Sequence, residues 1–285
     1  MEISVLSSKG QQIAALLAAQ IEKKEIDVPM LPEVAHKALR LTQDPDSTAT
    51  AMANLIQSDQ SLAGHVMRIA NSVAYTPLAN LVSLQQAVAR LGMGAMSEIA
   101  LAASVGAKLF NTPGYEAYIA QQWQHALATG LWAKEIARQT RSNVEVAFLA
   151  GLLHSIGRPA VLQTILDLAE LHEIALSEQE ISELESSYQH AASEMVVNSW
   201  EMPSLVTAAI AHYPNYEKAP VAVTQAAQIN LAILYASHML NPDQIEESEL
   251  LTSPALTILN IYQDEAEALL AKSESVAEKC QELSA

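Results

Sequence analysis

Leu152-Leu153-His154-Ser155-Ile156-Gly157-Arg158 closes an apolar run that begins at Val144. The run reads as a buried helix with a histidine at its C-terminal end. Gly157 is placed to break that helix. A histidine followed by aspartate here would offer two adjacent metal ligands. The second residue is Ser155 instead. A hydroxyl is neutral at pH 7 and a far poorer ligand than carboxylate for a hard divalent cation. The stretch therefore offers one good metal ligand at this turn, not two.

Composition agrees with a helical frame. The chain has 285 residues, half of them hydrophobic, with only 9 Gly and 2 Phe. Ala and Leu dominate, which favours helices over sheets. Such a length buries a sizeable core in one or two domains. The net charge of −17 repels phosphate backbones and argues against a nucleic-acid partner; it also keeps the protein soluble. The one cysteine, Cys280, cannot form an internal disulfide, which fits a reducing cytoplasm. Met1–Gly10 has no basic segment followed by an apolar one, so no signal peptide is expected. Charges break the apolar zones Ala87–Phe110 (Arg90, Glu98, Lys108) and Val144–Leu166 (Glu145, His154, Arg158), so no membrane span is expected.

Helical spacing of apolar residues recurs along the chain. A first helix runs to about Glu25. Pro32 opens a second, Asp59 caps a fourth, and Ser83 caps Leu84–Leu91 before Gly92. A helix rich in small residues spans Ala95–Phe110. Asn111-Thr112-Pro113-Gly114 is the clearest linker in the first half. A long helix with His125 follows. Ser142-Asn143-Val144-Glu145 and Ser177-Glu178-Gln179-Glu180 read as capping boxes. Pro159 opens a short helix. After Ser177 comes an acidic helical zone with a break at Ser186-Ser187, then a helix with His190. Pro203 opens the helix that ends in His212-Tyr213-Pro214. No period-2 strand emerges, and the fold class is all-α.

Helices of one bundle can aim side chains at a common centre. His125, His154, His190 and His212 are the candidates, and imidazole suits divalent transition metals that activate water. His36, His65, His172 and His238 read as structural or exposed. Arg158 can pair with an anionic ligand or serve as a plain surface cation near a helix terminus.

These residues carry a resemblance. The chain resembles the HDOD family, variant relatives of the HD and HD-GYP phosphohydrolases of bacterial signalling, over about Val28 to Tyr213. Leu31-Pro32, Asp59-Gln60-Ser61-Leu62, Arg68-Ile69-Ala70-Asn71-Ser72, Tyr75 and Leu91-Gly92 match its N-terminal half. His125, the His154 element, His190 with Trp200-Glu201-Met202-Pro203, and Ala209-Ile210-Ala211-His212 match an HD skeleton. The resemblance implies an HD-like bundle over 113–217, an N-terminal helical part over 1–112 and a C-terminal helical extension over 218–285. It also marks the departures. Ser155 stands where HD enzymes carry aspartate, and Asn230 to Ile233 lacks the distal aspartate. No Gly-Tyr-Pro loop follows Arg158.

The expectation is a regulatory output module without catalysis, bacterial and cytoplasmic, acting on an unidentified signalling protein. His125, His154, Ser155, His190 and His212 would be relics of a site. No cofactor and no metal are expected; any ion would sit on the four histidines. Two other readings stay open. One is a metal-dependent phosphodiesterase using an unrecognised carboxylate. The other is a sensor that takes a small ligand or nucleotide in the relic pocket. The acidic extension, with apolar positions such as Leu250, Leu256 and Leu269, should pack back on the HD-like half.

Overall fold

Every regular element described by the computed structural model is helical, over residues 6–76, 81–105 and 109–284. The expectations for Lys108 and for residues 1–5 lie outside the described residues. Four short helices come first: α1 (Ser8–Lys23), α2 (Glu33–Gln43), α3 (Ala49–Gln57) and α4 (Gln60–Ala70). Their starts follow side-chain caps. Ser7, Thr48 and Asp59 accept from backbone N–H groups of the first turns of α1, α3 and α4. α5 (Leu84–Ser104) bends at Gly92, whose φ of 87° suits glycine alone. It ends several residues short of the expected Phe110. Before it, the Asn71 side chain clamps the backbone of Leu81, accepting from its N–H at 2.7 Å and donating to its carbonyl at 2.9 Å.

The second half is built from α6 (Glu116–Gln139), α7 (Val144–Leu153), α8 (Gly157–Leu171), α9 (Glu178–Ser199), α10 (Ser204–His212) and α11 (Val223–Leu240). A 3-10 turn over Tyr213–Lys218 follows α10. α6 and α7 form a tight hairpin through Gly130 and Gly151, where a Cβ on Gly151 would lie 2.8 Å from the Gly130 Cα. The extension folds into α12 (Glu247–Leu251), α13 (Pro254–Ile258), α14 (Gln263–Leu270) and α15 (Ser273–Ser284). Within it, α12 and α13 meet α11, and α15 lies on α6 and α5. Cys280 on α15 is buried, and burial pushes its thiol up to about 11, far from a reactive thiolate.

α1 comes first in the chain, yet it packs mainly on α8 and α9. One carboxylate explains this. Glu180 receives the N–H and hydroxyl of Ser177 at 2.9 Å, and the N–H and hydroxyl of Ser7 at 3.0 and 2.7 Å. It completes the capping box of α9 and holds the start of α1. No break occurs at Ser186-Ser187, because Ile181, Leu184 and Glu185 face a packed surface that overrides serine's weak propensity. The box expected at Ser142 is an Asn143 cap, whose Oδ1 accepts from Glu145 and Val146 at 3.0 Å. Ser142 instead accepts from Gln228 of α11 at 2.6 Å.

Gly157 does not stop a helix. Residues 154–156 make the turn, and Gly157 starts α8. It is needed for close approach: a Cβ there would sit 2.2 Å from the Gln189 carbonyl oxygen and 2.3 Å from the Ser193 nitrogen. Its N–H donates to Ser193 Oγ at 2.9 Å. The run Val144–Leu171 is long and apolar enough to cross a membrane, but 78% of its most apolar window is buried inside the protein. Its hydropathy is therefore that of a core.

Candidate functional site

α7 is buried along almost its whole length, so its C-terminal turn delivers His154 into the interior. The ring's Nδ1 lies 2.7 Å from the Gly151 carbonyl. A carbonyl only accepts, so Nδ1 carries the proton and Nε2 keeps its lone pair. Burial, with His125 next, pushes the imidazole down to about 3, and the ring is neutral. His125 comes from the middle of α6, and its ring centre is 6.1 Å from that of His154. Burial and then Arg158 hold it too below the ordinary value. Its Nε2 is 2.9 Å from Ser237 Oγ of α11.

These two rings line a cleft of about 630 Å³ with Ser155, Arg158, Tyr213 and Ser237. The wall is rich in amides, from Gln121, Gln122, Gln124, Gln189, Asn241 and Gln244. Ile233, on the segment read as lacking the distal aspartate, reaches the same cleft. His190 and His212 do not line it. The Tyr213 ring stands between His154 and His190, with its centre 5.6 and 5.3 Å from theirs, edge-on to both. His190 turns its Nε2 to the Ala211 carbonyl at 3.2 Å and to Glu194 at 3.2 Å, while its buried Nδ1 has no partner among the described residues. His212 is half-buried at the end of α10. The structure thus brings together two of the four histidines, with Ser155 and Arg158.

Sequence reasoning missed Glu185 and Tyr118. Glu185 is 3% exposed in its side chain and lies 3.3 Å from Arg158. The Tyr118 hydroxyl donates to the same carboxylate at 2.6 Å. Burial first, then Glu185, raises that phenol to about 12. Arg158 is therefore partly neutralised from within. The signal was available: Glu185 shares the apolar stripe of α9 with Ile181 and Leu184, and an acid on a buried stripe needs a partner.

A dinuclear phosphohydrolase centre needs carboxylates to hold and bridge its ions. The cleft offers two imidazoles and a hydroxyl, and its nearby carboxylate is committed to Arg158 and Tyr118. Among the described residues, no group of three or more His, Cys, Asp or Glu side chains is placed to hold a metal ion. This donor set does not fit such a centre.

Comparison with known proteins places the chain. A Geobacter sulfurreducens HDOD domain protein of unknown function aligns over 96% of this chain and 97% of its own, at 20% identity and a TM-score of 0.71. A Shewanella amazonensis protein, named provisionally as a metal-dependent phosphohydrolase, aligns over 96% and 100%, at 20% identity and a TM-score of 0.71. A Marinobacter aquaeolei protein, named provisionally for signal transduction, covers all of this chain and 68% of its own, at 22% identity and a TM-score of 0.69. At these identities the likeness is one of fold. An uncharacterised Treponema pallidum protein is 24% identical over 212 residues, which are 72% of this chain but 41% of that relative. The description of the HDOD domain matches residues 28–216, and the chain belongs to the HDOD domain family.

Proposed function

We propose that this chain is a regulatory signalling module that acts by binding a protein partner and not by hydrolysis. The observation that carries the reading is the donor set of the cleft. Ser155 follows His154 where the resemblance expects aspartate, and Glu185 is bound to Arg158 at 3.3 Å and to Tyr118. Among the described residues that line the cleft, no carboxylate is left over to hold an ion or a metal-bound hydroxide. We place this module in a bacterial cytoplasm, where two halves braced by α15 shift or dock to pass on a signal. The partner is a signalling protein on another chain. Metal analysis tests the reading: protein treated with manganese, nickel or magnesium and then desalted should retain less than one ion per chain. Two tightly held ions per chain would overturn it.

A second reading has its own support. The cleft is large, concave and lined with six amide side chains, a surface suited to hydrogen-bonding a small polar ligand. A thermal-shift screen with nucleotides separates the two. A ligand-specific rise in Tm that is lost in Gln189→Leu supports the sensor, and an unmoved Tm supports the scaffold.

A further inference from the structure

A second cavity, of about 210 Å³, lies away from the histidines where four parts of the chain meet. Ala74 and Tyr75 line it from the turn after α4, and Ala95 from α5. Lys134, Glu135 and Arg138 come from α6, and Val276 and Lys279 from α15. Three cations and one carboxylate thus share the wall of a protein whose net charge is −17. The carboxylate is already divided, because Glu135 pairs with Arg138 and also with Lys272 at 2.9 Å. Lys134 pairs with the buried Glu98. Lys279 has no ion-pair partner among the described residues. Burial lowers its affinity for a proton, and Glu135 alone opposes the repulsion of Arg138, Lys134 and Lys272. Tyr75 lines the same space, and its hydroxyl has no hydrogen-bond partner among the described residues.

We propose that this cavity is an anion site that takes the phosphate group of a small molecule and so fastens α15 to both halves of the protein. A phosphate offers several acceptor oxygens and up to two negative charges. One oxygen would meet the unpaired Lys279, another the fork of Arg138, and another the Tyr75 hydroxyl. These donors come from the turn after α4, from α6 and from α15, so a bound phosphate joins segments far apart in sequence. A long ligand does not fit in this volume, and a hydrophobic one would bury the cations without compensation. The site lies away from the His125–His154 cleft and depends neither on its chemistry nor on the partner-binding reading.

Calorimetric titration of the full chain with inorganic phosphate and with glycerol phosphate tests the proposal. Binding of either is expected, with a rise in Tm and slower proteolysis of residues 273–284. Binding of the free ion points to phosphate itself. Binding of the ester alone points to a phosphorylated metabolite. Lys279→Gln should weaken binding about tenfold or more, as loss of a charge-assisted contact does. Tyr75→Phe, which keeps the ring and its packing, should weaken it less, and it decides the matter where Lys279→Gln fails to fold. Lys37→Gln, at an exposed lysine outside the cavity, should bind as the parent does. Failure of the parent to bind either probe would overturn the site. So would unchanged affinity in both cavity variants.

Discussion

His154 is neutral in the folded protein because burial holds it at about 3, well below its ordinary 6.5. The unfolded chain takes up that proton below about 6.5. Between these two values the unfolded state binds more protons, so His154 makes stability fall as pH is lowered from about 6.5 toward about 3. His154→Gln removes the titrating ring. Equilibrium urea unfolding across that window should show a flatter pH dependence for the variant than for the parent. An unchanged slope would mean that the ring is protonated in the fold. Gly157 is constrained as tightly by geometry. Gly157→Ala places a methyl against the Gln189 carbonyl and the backbone of Ser193. The crossing of α8 and α9 must open, and a loss of about 2–4 kcal/mol is expected by urea unfolding. At this level the sequence was partly legible. Ser155 and His154 could be read as a departure from an HD pair. The role of Gly157 could not, because contact with Gln189 and Ser193 arises only once α9 folds back across α8.

Glu180 ties two helix starts together, and its effect reaches beyond α9. Its carboxyl is held down to about 2 by the Ser177 backbone and by the hydroxyls and N–H groups around it. Glu180→Ala removes a capping box and the anchor of α1 in one step. The expected loss is about 1–2 kcal/mol, with faster proteolysis within residues 8–23. Ser7→Ala should cost less and expose only α1. If both variants leave α1 equally protected, the anchor is elsewhere, in the packing of Ile13 and Leu17. Periodicity and capping residues placed most of the helices. The expected break at Ser186-Ser187 failed because burial of Leu184 and Glu185 outweighs local propensity. The pairing of α1 with α9 was hidden for another reason. It joins Ser7 to Glu180 across 173 residues, and no local pattern carries that information.

The two halves are joined by more than chain continuity. Trp200 donates its Nε1 proton to the Pro29 carbonyl at 2.8 Å, and Arg68 of α4 reaches Glu282 of α15 at 3.4 Å. α15 buries Val276, Cys280 and Leu283. Deleting residues 273–284 should therefore lower Tm by several degrees and expose apolar surface on α5 and α6, seen as increased dye binding. A truncated chain as stable as the parent would mean that α15 is not part of the cooperative unit. The leucines of the extension were legible as residues that need cover. The four histidines were legible as residue types but not as a group. Tyr213 separates His190 from His154, and only the path of the chain after α10 puts it there.

The proposed reading, that this cleft does not hydrolyse phosphodiesters, rests on the absence of a free metal-binding carboxylate among the described residues that line it. The most direct test is phosphodiesterase turnover of the parent, His154→Ala and Ser155→Asp, each with manganese, nickel or magnesium. The account predicts no turnover above background in any of the three. Ser155→Asp alone should gain a larger metal-dependent rise in Tm, because the new buried carboxylate needs a cation. Parent turnover that disappears in folded His154→Ala would contradict the account.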